Sequence, residues 1–341
     1  MSTNRQMTRD PTLRDVAEKA GVSISTASRA LTGSRPVSDC LTERVRDAAS
    51  DLGYRANVGA RNLRLSRTMT IGLIYEYMDA PVYLDILSGL ISAAEHEGYS
   101  ILVSSADGDP DRYRQLLRRL YERRVDALLL LSPRDVGSDL EPFVSAGVPT
   151  LALFGRGRDC KDIPLAAIPQ DRALAQVARR LYELGHRRVL YLGTSKSSAN
   201  RWPVLEPACR DAGLEPSLGD LPRYAAPEAL APHLDAVLAA ESAATAVFAH
   251  GRHLPGLYAA LRRRGESIPG DRSVLTFTDS RLTPGLADPT PSAIHIDTVE
   301  VGRRAIGILD AWLAGEVPPN VSKLDLAEWQ ETASVAAAPA P

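Results

Sequence analysis

From Met69 onward the chain alternates short apolar runs with longer amphipathic segments, and nothing else in it constrains the fold as strongly. MTIGLIY (69–75), SILVSS (100–105), DALLLLS (126–132) and PTLALF (149–154) crowd Val, Ile and Leu into a few positions, the pattern of buried strands. Between them, residues 82–97, 110–123 and 138–146 read as helices; Leu116, Leu117, Leu120 and Tyr121 form an apolar stripe among Arg and Glu. A second set runs helix 171–184, strand RVLYLG, helices 198–212 and 227–240, strand TAVFAH, helix 255–264, strand SVLTFT and helix 298–314. Strand–helix alternation of this kind predicts parallel sheets in an α/β arrangement. A stretch of about 260 residues exceeds one compact sheet core, so two lobes are expected.

The first 68 residues follow a different period. Leu13, Val16, Ala17 and Ala20 make a helical i, i+3, i+4, i+7 stripe, with Thr12 placed to cap it and Asp15 in its first turn. Gly21 permits the left-handed backbone that ends a helix, Val22 fills the gap, and Ser23 or Ser25 can cap the next helix. There Ala27, Ala30 and Leu31 face inward, which leaves Ile24, Ser25, Ser28 and Arg29 outside. A third helix is expected from about Ser38, with Leu41, Val45, Ala48, Ala49 and Leu52 apolar, ending at Gly53. Helix, glycine turn, helix is the layout of a helix-turn-helix. Its outer face carries hydroxyls, one Arg and one apolar residue, groups suited to phosphates and base edges. With neither His nor carboxylate, that face has no acid–base chemistry to offer.

Charge follows the same division. Residues 1–68 hold 12 Lys+Arg against 7 Asp+Glu, a net +5, while the remainder is −7, so the chain's overall −2 hides a basic head on an acidic body. No apolar run reaches the ~18 residues of a membrane span, and the opening MSTNRQMTRDPTL lacks the core of a secretory signal. Cys40, Cys160 and Cys209 are widely spaced with no CxxC, which points to a reduced, cytoplasmic setting without structural zinc.

The head resembles the lactose-repressor (LacI) family. The residues that carry the likeness are Leu13, Asp15, Val16, Ala17, Ala20, Val22, Ser23, Thr26, Ala27, Ala30 and Leu31, continued by Val37-Ser38, Arg44-Val45 and Leu52-Gly53-Tyr54. The hinge stretch Asn57, Ala60, Arg61, Leu63 also fits. Two positions depart: Ala56 stands where the family usually has Pro, and Leu41 where a phosphate-contacting Thr is common. The resemblance implies that Ile24, Ser25 and Arg29 face the major groove while Thr26 and Ser28 hold phosphates. It implies that residues 57–65 form a minor-groove hinge helix in which Leu63 is the wedge and Arg61 and Arg64 meet backbone charge. Leu13, Arg14, Ser23, Asn57 and Ala60 complete the DNA-facing set.

In the body, Ile71-Gly72-Leu73, Gly98-Tyr99, Arg123-Arg124-Val125-Asp126, Leu184-Gly185-His186-Arg187-Arg188 and Glu300-Val301-Gly302-Arg303-Arg304 resemble the family's periplasmic-binding-protein-like core. The implied organisation is an all-α helix-turn-helix head (12–56), a hinge helix (57–67) and an α/β two-lobed core. Family topology places 69–168 plus 298–316 in the lobe near DNA and 169–297 plus 317–332 in the far lobe. The Ala/Pro-rich tail 333–341 is expected to be disordered.

Ligand is then expected in the cleft between the lobes. Arg201 matches the Arg of sugar-binding members, but their acidic sugar-gripping positions read Pro169-Gln170, Gly251-Arg252 and Thr278-Asp279 here. The effector set is Tyr83, Arg156, Arg201, Arg252 and Asp279, and its arginines suit an anionic metabolite, although Arg156 and Arg252 also read as surface charges. His250 and His253 read as a surface pair without a third metal ligand, His186 as a helix-end cap, and Glu76, Asp79 and Asp85 as solvated acids. There is no GxSxG, Walker loop or GxGxxG after a strand, so neither an enzyme nor a cofactor is expected.

The expected function is a cytoplasmic, nucleoid-associated transcriptional regulator of bacterial type, a repressor acting as a homodimer or dimer of dimers on roughly palindromic double-stranded operator DNA. A small-molecule effector would set operator affinity. The competing reading is a solute-binding sensor of the same core fold with a vestigial head.

Overall fold

The computed structural model describes residues 11–32, 36–54, 67–76, 78, 82–131, 137–154, 163–193, 195–222, 227–277 and 287–340. They form two compact units, Met1–Thr68 and Met69–Pro341.

Among the described residues the first unit holds three helices, α1 (Leu13–Ala20), α2 (Ile24–Thr32) and α3 (Asp39–Asp51). A full capping box opens α1: the Asp15 backbone N–H donates to Thr12 Oγ1, and the Thr12 N–H donates to Asp15 Oδ2 at 2.7 Å. Gly21 closes it at φ 63°. Val16, Ala17, Ala20, Ala27, Ala30, Val45, Ala48 and Ala49 make the core, with Leu13, Val22, Leu31 and Leu52 packed around it. Small residues at six of those eight positions let three short helices approach closely. The Arg44 guanidinium donates to the Ala20 carbonyl at the end of α1, and Lys19 pairs with Asp51 at 2.9 Å, so both tie α1 to α3.

The second unit contains two six-stranded sheets, each with helices on both faces. The first has the order β11-β5-β4-β3-β1-β2, formed by β1 (Thr70–Tyr75), β2 (Ser100–Ser105), β3 (Ala127–Leu131), β4 (Thr150–Leu153), β5 (Leu165–Ala167) and β11 (Val321–Lys323). All its pairings are parallel. Helices α4 (Val82–His96) and α11 (Thr298–Leu313) pack on one face through Ile86, Leu90, Val301 and Leu309. On the other face lie α5 (Pro110–Glu122) and the short α6 (Glu141–Ser145). In β3, Leu129 serves the first face and Leu128 and Leu130 the second, as a period of two requires.

The second sheet has the order β12-β10-β9-β8-β6-β7. Its strands are β6 (Arg188–Gly193), β7 (Glu215–Asp220), β8 (Ala246–Ala249), β9 (Ser273–Thr276), β10 (Ser292–Ile296) and β12 (Ala327–Gln330), the last antiparallel to β10. Helices α7 (Asp171–Glu183) and α8 (Ser195–Asp211) cover one face, and α9 (Pro227–Ala240) and α10 (Leu254–Arg263) the other. No described helix is long and apolar enough to cross a membrane.

Several expectations need correction. Val321–Lys323 pairs with β5 in the first sheet, so the stretch 317–332 does not belong wholly to the far lobe. The tail is not loose over Ser334–Ala338. The Ser334 hydroxyl donates to the Val274 carbonyl at 2.7 Å and accepts from the Ser292 N–H at 2.6 Å, and the Ala338 N–H donates to the Leu184 carbonyl. Its Ala/Pro composition hides a serine that reaches into the second sheet. His186 caps no helix with its ring. It is buried, with Nε2 donating to the Ala336 carbonyl at 3.0 Å and Nδ1 accepting from the Thr245 hydroxyl at 2.7 Å. Burial lowers its pKa, in keeping with a neutral ring. Glu76 and Asp85 are buried, not solvated, because β1 and α4 carry them inward beside the sheet; Asp79 lies outside the described residues.

Candidate functional site

In the head, the first turn of α2 gathers three hydroxyls. Ser23 Oγ lies 2.8 Å from both Ser25 Oγ and Thr26 Oγ1 and accepts from the Thr26 N–H at 3.1 Å, which makes Ser23 the cap. Ile24 is 43% exposed although it is apolar, and Ala27 and Ala30 behind it are buried. Arg29 is half-buried, its Nε donating to the Ser25 carbonyl one turn back at 3.1 Å. An exposed apolar side chain, a hydroxyl cluster and an arginine thus share one face of a helix firmly seated on its other side. Ser28 is half-buried beside them. Arg14 is exposed on α1, while Leu13 packs against the head core. Asn57, Ala60, Arg61, Leu63 and Arg64, with the expected hinge helix, lie outside the described residues.

In the core, Arg201 is the centre of the candidate effector site. It stands on α8, and its Nη1 donates to Gln170 Oε1 at 3.0 Å. Gln170 occupies the cap position of α7 but leaves that helix end without a side-chain cap, because its amide is turned to the guanidinium. The guanidinium carbon lies 4.7 Å from the centroid of the Phe277 ring, just past β9. Burial pushes the pKa of Arg201 down, and the polar groups that offset this are the phenols of Tyr191 and Tyr83. Tyr191 comes from β6 of the second sheet and Tyr83 from α4 beside the first, so both lobes meet around this one cation.

The aromatic groups around it are mutually braced. Tyr191 stacks on Trp202 at 6.3 Å and meets Phe277 edge-on at 5.4 Å. Tyr83 packs edge-on against Tyr75 at 5.7 Å, and the Tyr75 hydroxyl donates to the Tyr83 carbonyl at 3.3 Å. Gln170, Tyr191, Trp202 and Phe277 were absent from the expected set. The one sequence signal for Phe277 was its place at the C-terminal end of an apolar run, where open α/β sheets bind ligands.

The other expected members fare differently. Arg156 and Asp279 lie outside the described residues. Arg252 sits in a 3-10 turn (Gly251–His253) after β8, where its Nε donates to His250 Nδ1 at 3.4 Å. His250 and His253 are no surface pair. They are 8% and 2% exposed, because the turn folds both rings back under the strand end. Burial and the neighbouring Arg252 push the pKa of His253 down to about 4. No group of three potential metal ligands occurs among the described residues.

Comparison with known proteins agrees with this division. Residues 12–57 match the family described as bacterial regulatory proteins, lacI family. Residues 68–220 match periplasmic binding proteins and sugar binding domain of LacI family, and 178–335 a periplasmic binding protein-like domain. The HTH-type transcriptional repressor PurR of Actinobacillus pleuropneumoniae is 27% identical over 308 residues, spanning 87% of this chain and 90% of its own. The ribose operon repressor of Haemophilus influenzae is also 27% identical, with the same two coverages. The HTH-type transcriptional regulator GntR of Pseudomonas aeruginosa is 28% identical over 92% of each chain. Among solved structures, the Lac repressor dimer bound to operator and the anti-inducer ONPF has the same fold, with a TM-score of 0.80 at 21% identity over 96% of this chain and 100% of that one. The transcriptional regulator CelR in complex with cellobiose gives 0.67 at 26% identity, covering 95% and 99%.

Proposed function

The chain belongs to the LacI family of bacterial regulatory proteins, and from that premise we propose that it is a repressor whose grip on a roughly palindromic operator is set by a small anionic molecule held in its core. The observation that carries the DNA-binding half is the outer face of α2, where Ile24 is exposed beside the hydroxyls of Ser23, Ser25 and Thr26 and the arginine at 29. An apolar contact, short polar groups and one guanidinium are what base edges and flanking phosphates call for. In this reading Leu63 is the minor-groove wedge, Arg61 and Arg64 meet backbone charge, and two copies of the chain bind two half-sites.

The effector half rests on Arg201, a cation that faces an amide and phenols. A ligand that binds one arrangement of the lobes better than the other shifts the population of DNA-competent molecules. The relatives' printed names, a ribose operon repressor and two further regulators, favour control of transcription over solute capture.

Selection of bound fragments from random DNA, followed by mobility shifts across a salt series, tests the proposal. A preferred site with two related halves and an affinity that falls steeply with salt is expected. Equal binding to all sequences at every salt concentration would remove it.

A further inference from the structure

Arg201 carries five N–H donors on a planar fork. Among the described residues one of them, on Nη1, goes to Gln170, and the flat face lies on Phe277. The Nε/Nη2 edge has no described acceptor, and no described carboxylate pairs with the group. An edge with two parallel N–H groups is the geometry that takes a carboxylate bidentately. Fixing the guanidinium from behind and from one side removes rotamer freedom before any ligand arrives, which favours binding.

Two features narrow the class of ligand. First, among the described residues the cation that meets Tyr83, Tyr191 and Phe277 is Arg201. Arg252 is turned to His250, and Glu76 and Asp85 have partners of their own. One guanidinium balances a carboxylate and leaves a phosphate dianion half-compensated in a site that disfavours unpaired charge. Second, the surroundings are aromatic. Tyr83 and Trp202 are half-exposed, one on each lobe, and are backed by the buried Tyr75, Tyr191 and Phe277. Half-exposed rings braced in this way offer flat apolar surface and few hydrogen-bonding groups, which suits another ring better than a chain of hydroxyls.

Resting on the reading of the core as an effector-binding unit, we propose that the effector is an aromatic carboxylate, its carboxylate forked on the Nε/Nη2 edge of Arg201 and its ring against Tyr83 and Trp202. The anion neutralises the half-buried cation, and the ring joins an aromatic side chain of one lobe to one of the other. A ligand built this way reads the separation of the lobes directly.

The test uses the full chain and six probes: benzoate, trans-cinnamate, the neutral benzamide, gluconate, glucose 6-phosphate and glucose. Benzoate or trans-cinnamate should raise the melting temperature and quench tryptophan fluorescence, and benzamide should do neither. Arg201→Gln should weaken binding of that carboxylate by about tenfold to a hundredfold, the worth of a charge-assisted fork, and Arg201→Lys should recover little of it. Tyr83→Ala, which leaves the cation in place, should weaken the aromatic acids without creating affinity for gluconate. A shift with gluconate, glucose 6-phosphate or glucose and none with the aromatic acids overturns the proposal, as does no shift with either aromatic acid. An aromatic acid that binds through Arg201 yet leaves operator affinity unchanged counts against the effector reading alone.

Discussion

Gly89 on α4 and Gly302 on α11 meet backbone to backbone. A Cβ built on Gly302 would stand 2.4 Å from the carbonyl carbon of Gly89 and 2.5 Å from the Leu90 nitrogen. A Cβ on Gly89 would lie 2.8 Å from the Val299 Cα. Neither obstacle is the end of a flexible side chain, so no rotamer change relieves the clash. Gly302→Ala is therefore expected to force the two helices apart and to lower stability by about 1–3 kcal/mol or more, the usual cost of overpacking. Denaturant unfolding of the full chain measures it. A midpoint equal to wild type would show that the crossing is looser than its backbone contact implies.

Arg29 lies folded along its own helix, with its Nε on the Ser25 carbonyl. To reach a base edge it must exchange that bond for one to DNA. Arg29→Ala is expected to weaken the preferred operator by about 1–3 kcal/mol if the new contact is bidentate to guanine, and to relax sequence preference at one or two base pairs. Selected-site profiles of the two proteins decide the matter. A uniform loss over all sequences with an unchanged profile would assign Arg29 to phosphate.

Much of the fold was legible because period and side-chain chemistry agreed. The capping box at Thr12 and Asp15, the turn at Gly21 and the alternation from Met69 each have one local solution. What escaped reading lacked a local signature. β7 is spelled Glu215-Pro216-Ser217-Leu218-Gly219-Asp220; as an edge strand it needs little apolar surface, and its proline is tolerated there. β5 and β11 have three residues each and exist through pairing, β5 with β4 and β11 on either side and β11 with β5. The buried histidines were misread because i, i+3 spacing says nothing about which side of a turn faces the core. At the effector site Arg201 stood out as a charge, whereas its partners Gln170, Tyr191 and Phe277 come from three separate elements that only the second sheet brings together.

His253 gives the core a pH dependence. Burial and Arg252 hold its pKa at about 4 against an ordinary 6.5, and both ring nitrogens lack a well-formed hydrogen bond among the described residues. The folded state keeps the ring neutral while the unfolded chain binds a proton between those values, so stability falls as pH drops from about 6.5 toward 4. A shift of that size is worth on the order of 3 kcal/mol once the pH is below both values. His253→Leu should flatten this part of the curve, as followed by denaturant unfolding at pH 7, 6 and 5. An equally steep curve in the variant would mean that the imidazole protonates in place.

Ser334 is the group on which the C-terminal segment turns. Its hydroxyl donates to the Val274 carbonyl at 2.7 Å, accepts from the Ser292 N–H at 2.6 Å and stands 3.1 Å from Ser292 Oγ, while its own carbonyl accepts from the Val274 N–H at 3.0 Å. Two residues on, Ala336 bridges Ser273 and His186. The segment thus supplies partners to starts of strands that would otherwise end in buried, unsatisfied polar groups. Removing one partner of such a pair costs about 1–3 kcal/mol, because the remaining group keeps its desolvation penalty. Ser334→Ala should lose about that much, and a chain ending at Glu331 should lose considerably more, since it also uncovers His186 and the apolar contact of Val335. Hydrogen exchange localises the effect: the amides of Val274 and Ser292 should lose protection while those of the first sheet keep theirs. If both variants unfold at the wild-type denaturant concentration, the segment is an ornament on the second sheet and contributes nothing to holding it.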